Sequence, residues 1–243
     1  MGRFGISLLA SFLLSAAAAA QPPALDPNDR LDNILMKIET RMKAVDSIFV
    51  EDCVRIDTDR AGLKSWRGEL RFLKPNLFAI RLVQEQDHKH YELIISTGKY
   101  LYEYRPQFKK LVVHELPPVD ATAVNNNLLA LALCKSAADV KRRYDLKITK
   151  DAPDAVYIEL TPKLPEDKRE FTRAELVLDA QRLTPRRLRF EQPNGNAVEW
   201  RLPNFDTERK LDKSHFRPPA APEGWETIED PLPKDPPPRR PGP

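Results

Sequence analysis

Four histidines, two cysteines and adjacent carboxylates such as Glu51-Asp52 and Glu166-Asp167 are the residues whose types could support chemistry in this chain. His88 and His90 stand one residue apart in Gln86-Asp87-His88-Lys89-His90 and would share a face of an extended segment, where with Asp87 or Glu85 they could hold a cation weakly. Lys89 sits between them and no third ligand has suitable spacing, so a solvated polar turn is expected there, and no metal. Glu51-Asp52 and Glu166-Asp167 could pair an acid with a base. Neighbours on a strand point to opposite faces, however, and the second pair lies in a charged turn. Gly-x-Ser-x-Gly, His-Glu-x-x-His, Walker and Gly-x-Gly-x-x-Gly patterns are absent, and eight glycines leave few places for a phosphate-cradling loop. Neither catalytic residues nor a cofactor are expected, and the chain does not read as an enzyme.

The composition narrows the class further. The chain has 243 residues with 39 Lys and Arg against 36 Asp and Glu, a formal net charge of +3. That balance lacks the basic excess of a nucleic-acid binder. With 41% hydrophobic and 31% charged residues it reads as a soluble globular protein able to bury a core.

Residues 1–20 have the order of a secretory signal: Arg3, an apolar run over 4–14, and small residues ending at Ala18 and Ala20 before Gln21. The expectation is cleavage near Ala20 and a periplasmic location. Export would permit a disulfide, and both a Cys53–Cys134 bridge and two separate buried thiols fit the sequence. At the other end, Pro-rich residues 220–243 read as an extended tail. The folded domain is then 21–219.

Within that domain one helix comes first, with Asp26 as N-cap, Pro27 at the first position, and Leu31, Ile34, Leu35, Ile38 and Met42 at helical spacing. The period then changes to two. Ile48, Val50, Val54 and Ile56 alternate with Phe49, Glu51, Cys53, Arg55 and Asp57, with Asp52 interrupting; Trp66, Gly68, Leu70 and Phe72 form a cleaner set. Turns at Lys74-Pro75-Asn76, Thr97-Gly98-Lys99, Arg105-Pro106-Gln107 and Asn194-Gly195 join short strands into an antiparallel meander. The apolar patch at 128–133 reads as a short helix, and Ser136 as the cap of another through Arg143. The fold class is therefore α+β, mainly antiparallel β: a curved, incomplete β-barrel of about eleven strands covered by two or three helices, with an apolar cavity between them.

Several of these segments resemble one family. Gly68 to Phe78, with Lys74-Pro75-Asn76-Leu77-Phe78 at its turn, and Ser96 to Pro106, with Gly98-Lys99, Tyr104 and Pro106, are similar to the strand and hairpin signatures of LolA-type lipoprotein carriers. Leu160-Thr161-Pro162-Lys163 and Phe216-Arg217-Pro218-Pro219 continue the likeness. The resemblance implies a half barrel lidded by helices, whose interior holds the acyl chains of a lipoprotein or other lipid between an inner-membrane release complex and an outer-membrane acceptor. The protein would act as a monomer. Leu70, Phe72, Phe78, Ile80, Leu82, Tyr102, Leu128 and Leu131 would line the cavity, and Lys74 would latch the lid. Lys74 stands where the family has Arg, a Gln expected in the first strand is missing, and the Pro-rich tail is not part of the family pattern. A lipid- or lipoprotein-sensing module that acts through protein partners is the alternative.

Overall fold

The helix that the apolar spacing predicts is present. α1 (Pro27–Ala44) places Leu31, Ile34, Leu35 and Ile38 in the core and starts at a proline, whose missing N–H is no loss in the first turn. The computed structural model describes residues 27–116 and 136–231. The expected caps and linings at Asp26, Leu128, Leu131 and Cys134 lie outside those residues, as do residues 1–20.

Six strands follow α1: β1 (Ser47–Asp59), β2 (Gly62–Leu73), β3 (Leu77–Gln84), β4 (Tyr91–Ser96), β5 (Tyr100–Arg105) and β6 (Lys110–Glu115). Ser136 then caps α2 (Ala137–Arg143), its side chain accepting from Asp139 N at 3.2 Å. The second half comprises β7 (Tyr144–Asp151), β8 (Ala155–Pro162), α3 (Pro165–Glu170), β9 (Arg173–Asp179), β10 (Pro185–Glu191) and β11 (Ala197–Arg201). Two short strands end the described chain, β12 (Asn204–Asp206) and β13 (Glu226–Asp230).

All belong to one 13-stranded sheet in the order β13-β6-β5-β4-β3-β2-β1-β11-β10-β9-β8-β7, with β12 also on β1. β7 and β13 stand at opposite ends of that path, so the barrel is open. The pairings are antiparallel apart from β13, which runs parallel to β6. The count exceeds the expected eleven because β12 and β13 are too short and polar to show a two-residue period.

One large cluster joins α1 to the inner face of the sheet through Val50, Leu70, Ile80, Ile158, Leu176 and Leu188. A smaller one lies on the outer face, where Leu211 and Phe216 pack with Leu77 and Ile95. This second cluster anchors a strap. Tyr104 OH donates to the Pro219 carbonyl, Trp225 lies 6.5 Å from the Tyr104 ring, and β13 then adds to β6. Residues 220–230 are thus docked on the sheet rather than extended into solvent, because Trp225 and Ile228 give an otherwise polar segment something to bury.

The pairing register also corrects the sequence-based reading of β1. Val50 faces Leu70, but Cys53 faces Gly68, so Glu51 and Asp52 together stand opposite the single Glu69 and β1 accommodates one extra residue there. Asp52 has φ 54°, the left-handed conformation an Asp tolerates. The bulge inverts the alternation after it. Cys53, Arg55 and Asp57 therefore join the inner face with Ile48 and Val50, while Val54 and Ile56 turn outward. Opposite Cys53, a side chain at Gly68 would place its Cβ 1.8 Å from the Arg81 carbonyl oxygen, so β2 can approach β3 there only with glycine.

Candidate functional site

The inner face of β2 and β3 brings together five of the residues named as cavity lining. Leu70, Phe72, Phe78, Ile80 and Leu82 are all buried in the main cluster, Leu70 opposite Ile80 and Phe72 opposite Phe78. Tyr102 is elsewhere. It pairs with Ile95 on β4 and packs with the outer cluster, because Ser96 and Leu101, its sequence neighbours in the ladder, take the inner side.

α1 packs directly on the inner face of the sheet. Leu31, Ile34, Leu35 and Ile38 occupy the inner side, and the cleft between the end of α1 and β9–β10, lined by Ile38, Met42, Leu176, Leu178, Pro185 and Phe205, measures about 20 Å³. That is room for a water molecule. The apolar interior expected from the sequence exists as a surface, and α1 is its present occupant.

Polar contacts tie α1 along its length, and Arg41 donates to the Arg182 carbonyl and to Thr207 Oγ1 at 3.5 Å. Lys74 Nζ donates to the Lys43 carbonyl at 2.8 Å, so the turn residue named as a latch touches the last turn of the helix. Glu39 accepts from the Ala137 N–H at 2.9 Å, capping α2 from outside, and this bond, with Lys43 beside it, holds the Glu39 carboxyl below its ordinary pKa. Arg30 reaches Asp151 at 3.0 Å, and Lys141 pairs with Asp32.

Where the apolar wall meets the β1–β2 hairpin, a charged cluster interrupts it. Arg55 donates to both Glu92 carboxylate oxygens at 2.6 Å and to Asp57 at 3.1 Å. Its guanidinium lies 4.9 Å from the Trp66 ring centre and 5.7 Å from that of Trp200. Burial alone would lower the Arg55 pKa, but the Glu92 bonds and the two carboxylate charges outweigh it and raise it. Burial likewise pushes Asp57 up, against the pull of Arg55. Arg55 Nε is buried without an acceptor among the described residues, and the Trp66 indole N–H has the Asp57 carboxylate as its acceptor. An unmet buried donor costs about 1–3 kcal/mol. The cluster was hidden in the sequence by the Asp52 bulge, which alone places Arg55 and Asp57 inside.

The remaining chemistry-bearing residues do not converge. His90 pairs with Asp87 at 3.0 Å in an exposed turn, and His114 reaches Asp230 at 2.8 Å across the β6–β13 edge. No group of three or more His, Cys, Asp and Glu arranged to hold a metal occurs among the described residues. Asp167, expected in a charged turn, is buried in α3 against Arg143.

A family model described as outer membrane lipoprotein carrier protein LolA matches residues 55–219, well over half of the chain. The chain belongs to the LolA family. No curated protein sequence matches it significantly. Among solved structures, an uncharacterized conserved protein from Thermus thermophilus is 12% identical with a TM-score of 0.49, covering 84% of this chain and 99% of that one. A putative outer membrane lipoprotein-sorting protein domain from Vibrio parahaemolyticus is 13% identical with a TM-score of 0.40, covering 76% and 97%. LprF from Mycobacterium bovis is 14% identical with a TM-score of 0.43, again covering 76% and 97%. For this LolA-family chain the matched span includes Arg55, Lys74 and every described residue of the expected lining.

Proposed function

We propose that the chain is an exported, periplasmic carrier that binds the acyl chains of lipoproteins or other lipids on its inner sheet face and moves them between membranes, without catalysing a reaction. The observation that carries this reading is the apolar wall of β1–β3 and β7–β10 covered, among the described residues, by α1 with Ala137 and Val140 of α2 packed against the same cluster, in a chain of the LolA family. An acyl chain gains about 0.8 kcal/mol per CH₂ buried, so a carrier must offer an apolar lining comparable with the membrane it leaves. Here α1 supplies the apolar partner when no cargo is present. Cargo then enters by displacing α1 along the wall around Phe78 and Ile80, and its release lets the helix return.

Two of the α1 tethers are weak enough to suit that exchange. Arg30–Asp151 and Lys141–Asp32 are partly exposed pairs, worth about 0–1 kcal/mol each. Lys74 would act as the latch between the β2–β3 turn and the helix.

The experiment is a transfer assay. Full-length protein expressed with its signal in a host that supplies lipoproteins is purified and extracted with organic solvent, and acyl-bearing species in stoichiometric amount are expected by mass spectrometry. The loaded protein should then deliver lipoprotein to acceptor vesicles. An extract without acyl species would overturn the binding, and acyl species that never leave would overturn the carriage.

A further inference from the structure

Antiparallel pairing puts the β1–β2, β3–β4 and β5–β6 turns at one end of the sheet and the β2–β3 and β4–β5 turns at the other. The first end carries two of the three exposed large apolar side chains among the described residues: Leu63, 60% exposed, beside the β1–β2 turn, and Phe108, 64% exposed, in the β5–β6 turn. Single apolar residues on a surface are ordinary. These two share one end of the sheet, and each has cations as chain neighbours, Lys64 and Arg60 for Leu63, Lys109 and Lys110 for Phe108.

Phe108 is held outward by a fixed backbone. Pro106 starts its turn, and Lys109, left-handed at φ 49°, closes it with its N–H on the Pro106 carbonyl at 3.1 Å. The Lys109 carbonyl accepts in turn from the Glu226 N–H at 2.9 Å, so β13 pins the turn from outside.

The charge of this end is positive. Across 59–64, 84–91 and 105–110, six Lys and Arg stand against three Asp and Glu. All three carboxylates are engaged: Asp59 with Lys64 at 3.7 Å, Glu85 with Arg67 at 3.0 Å and Asp87 with His90 at 3.0 Å. Glu226 meets Lys110 at 3.2 Å, and Glu103 meets Arg105 at 2.8 Å. Arg60, Lys89 and Lys109, one at each turn, form no ion pair among the described residues. With neighbouring strands about 4.8 Å apart, this row of turns spans about 20 Å.

We infer that these three turns form a docking end for an anionic bilayer surface, with Leu63 and Phe108 entering the interface and Arg60, Lys89 and Lys109 lying against lipid phosphates. Protruding apolar side chains beside unpaired cations match the layered chemistry of such a surface, phosphates outermost and hydrocarbon beneath. A purely ionic partner would leave Leu63 and Phe108 in water. The inference goes beyond the acyl-binding reading and does not depend on it, since docking needs no cargo.

The test is co-sedimentation of protein purified from the periplasmic fraction of an expression host with vesicles of phosphatidylcholine alone or with 30% phosphatidylglycerol. Binding to the anionic vesicles is expected to be at least about tenfold stronger, and to be lost in 0.5 M NaCl. A cation near the surface is worth about fivefold in affinity, so K89E/K109E should weaken binding to anionic vesicles at least about tenfold and remove the preference for them. L63S/F108S should weaken binding about tenfold or more while keeping the preference. M36S, which removes the third exposed apolar side chain, on α1, should bind as the wild type does. All the substituted side chains are exposed, and far-ultraviolet circular dichroism checks each fold; if a double variant does not fold, F108S and K109E alone carry the same directions. No binding of the wild type to anionic vesicles overturns the docking end, as does equal binding to both vesicles or unchanged binding in both double variants. Binding only to vesicles that carry membrane proteins would assign this end to a protein partner and likewise overturn it. Each of these outcomes leaves acyl binding standing, because organic extraction reads that separately.

Discussion

The ammonium of Lys74 lies 2.8 Å from the main-chain carbonyl of Lys43, joining the β2–β3 turn to the last turn of α1. A carbonyl at a helix C-terminus has no partner within the helix, and a cation there is also favoured by the helix dipole. K74A should lower the stability to urea by up to about 1 kcal/mol, since the contact is exposed, and should speed amide hydrogen exchange in α1 more than in β8 or β9. K74R should restore the protection. Unchanged exchange in α1 would show that the turn does not restrain the helix.

Asp167 is 3% exposed and holds Arg143 through both carboxylate oxygens, with Nε at 3.0 Å, while the Tyr144 hydroxyl reaches it at 3.4 Å. D167A strands the guanidinium beside Tyr144. Arg143 keeps some access to water, so the expected loss is about 1–3 kcal/mol, below that for a fully buried pair. A midpoint in guanidinium chloride indistinguishable from wild type would contradict this.

Burial, and then the nearby Glu69 charge, push the Cys53 thiol up to about 12. The thiol is free and inaccessible. The peptide containing Cys53 should stay unlabelled after treatment of the native protein with iodoacetamide at pH 8 and become labelled in urea. Labelling without denaturant would place the bulge at Glu51-Asp52 in an open, exchanging state.

Acid should loosen the α1–α2 junction. Glu39 has a lowered pKa in the fold, chiefly from the Ala137 N–H, so its contribution is complete above its unfolded value of about 4.3 and is lost as pH falls through the folded value. Asp57 runs the other way, since its raised pKa favours the fold in acid and opposes it once ionised. The pH dependence of the melting temperature below pH 5 should therefore be shallower in E39Q and steeper in D57N.

The left-handed backbone at Asp52, φ 54°, allows a further check. D52G should be neutral or slightly stabilising, whereas D52V should cost about 1–2 kcal/mol because a branched Cβ crowds the carbonyl in that conformation. Equal stabilities would mean that β1 had paired in another register.

Much of the architecture was legible in residue order. The period of two across β2 to β6 and the turn residues between strands reported a meander, and the apolar spacing of Leu31 to Ile38 reported α1. What escaped depended on single events that leave no periodic trace. One bulge inverted the second half of β1 and brought a charged cluster indoors. Tyr102 looked like lining because Tyr100, Tyr102 and Tyr104 fill one face of β5, and only the strap carrying Phe216 decides which face is inside. β13 was lost in a Pro-rich stretch because Glu226 to Asp230 are mostly charged, and their place on β6 is set by Trp225 and Pro219 docking at Tyr104. Asp167 looked like a turn carboxylate until α3 brought it to Arg143.

β1 is the seam of the sheet, bonded to β2 on one edge and to β11 and β12 on the other. Synthesis from the N-terminus therefore completes β1 and its hairpin partner well before residues 197–206 exist. Through that interval the second edge of β1 offers unpaired amides and carbonyls to any passing strand. A newly made chain would need shielding by another protein until its last third arrives.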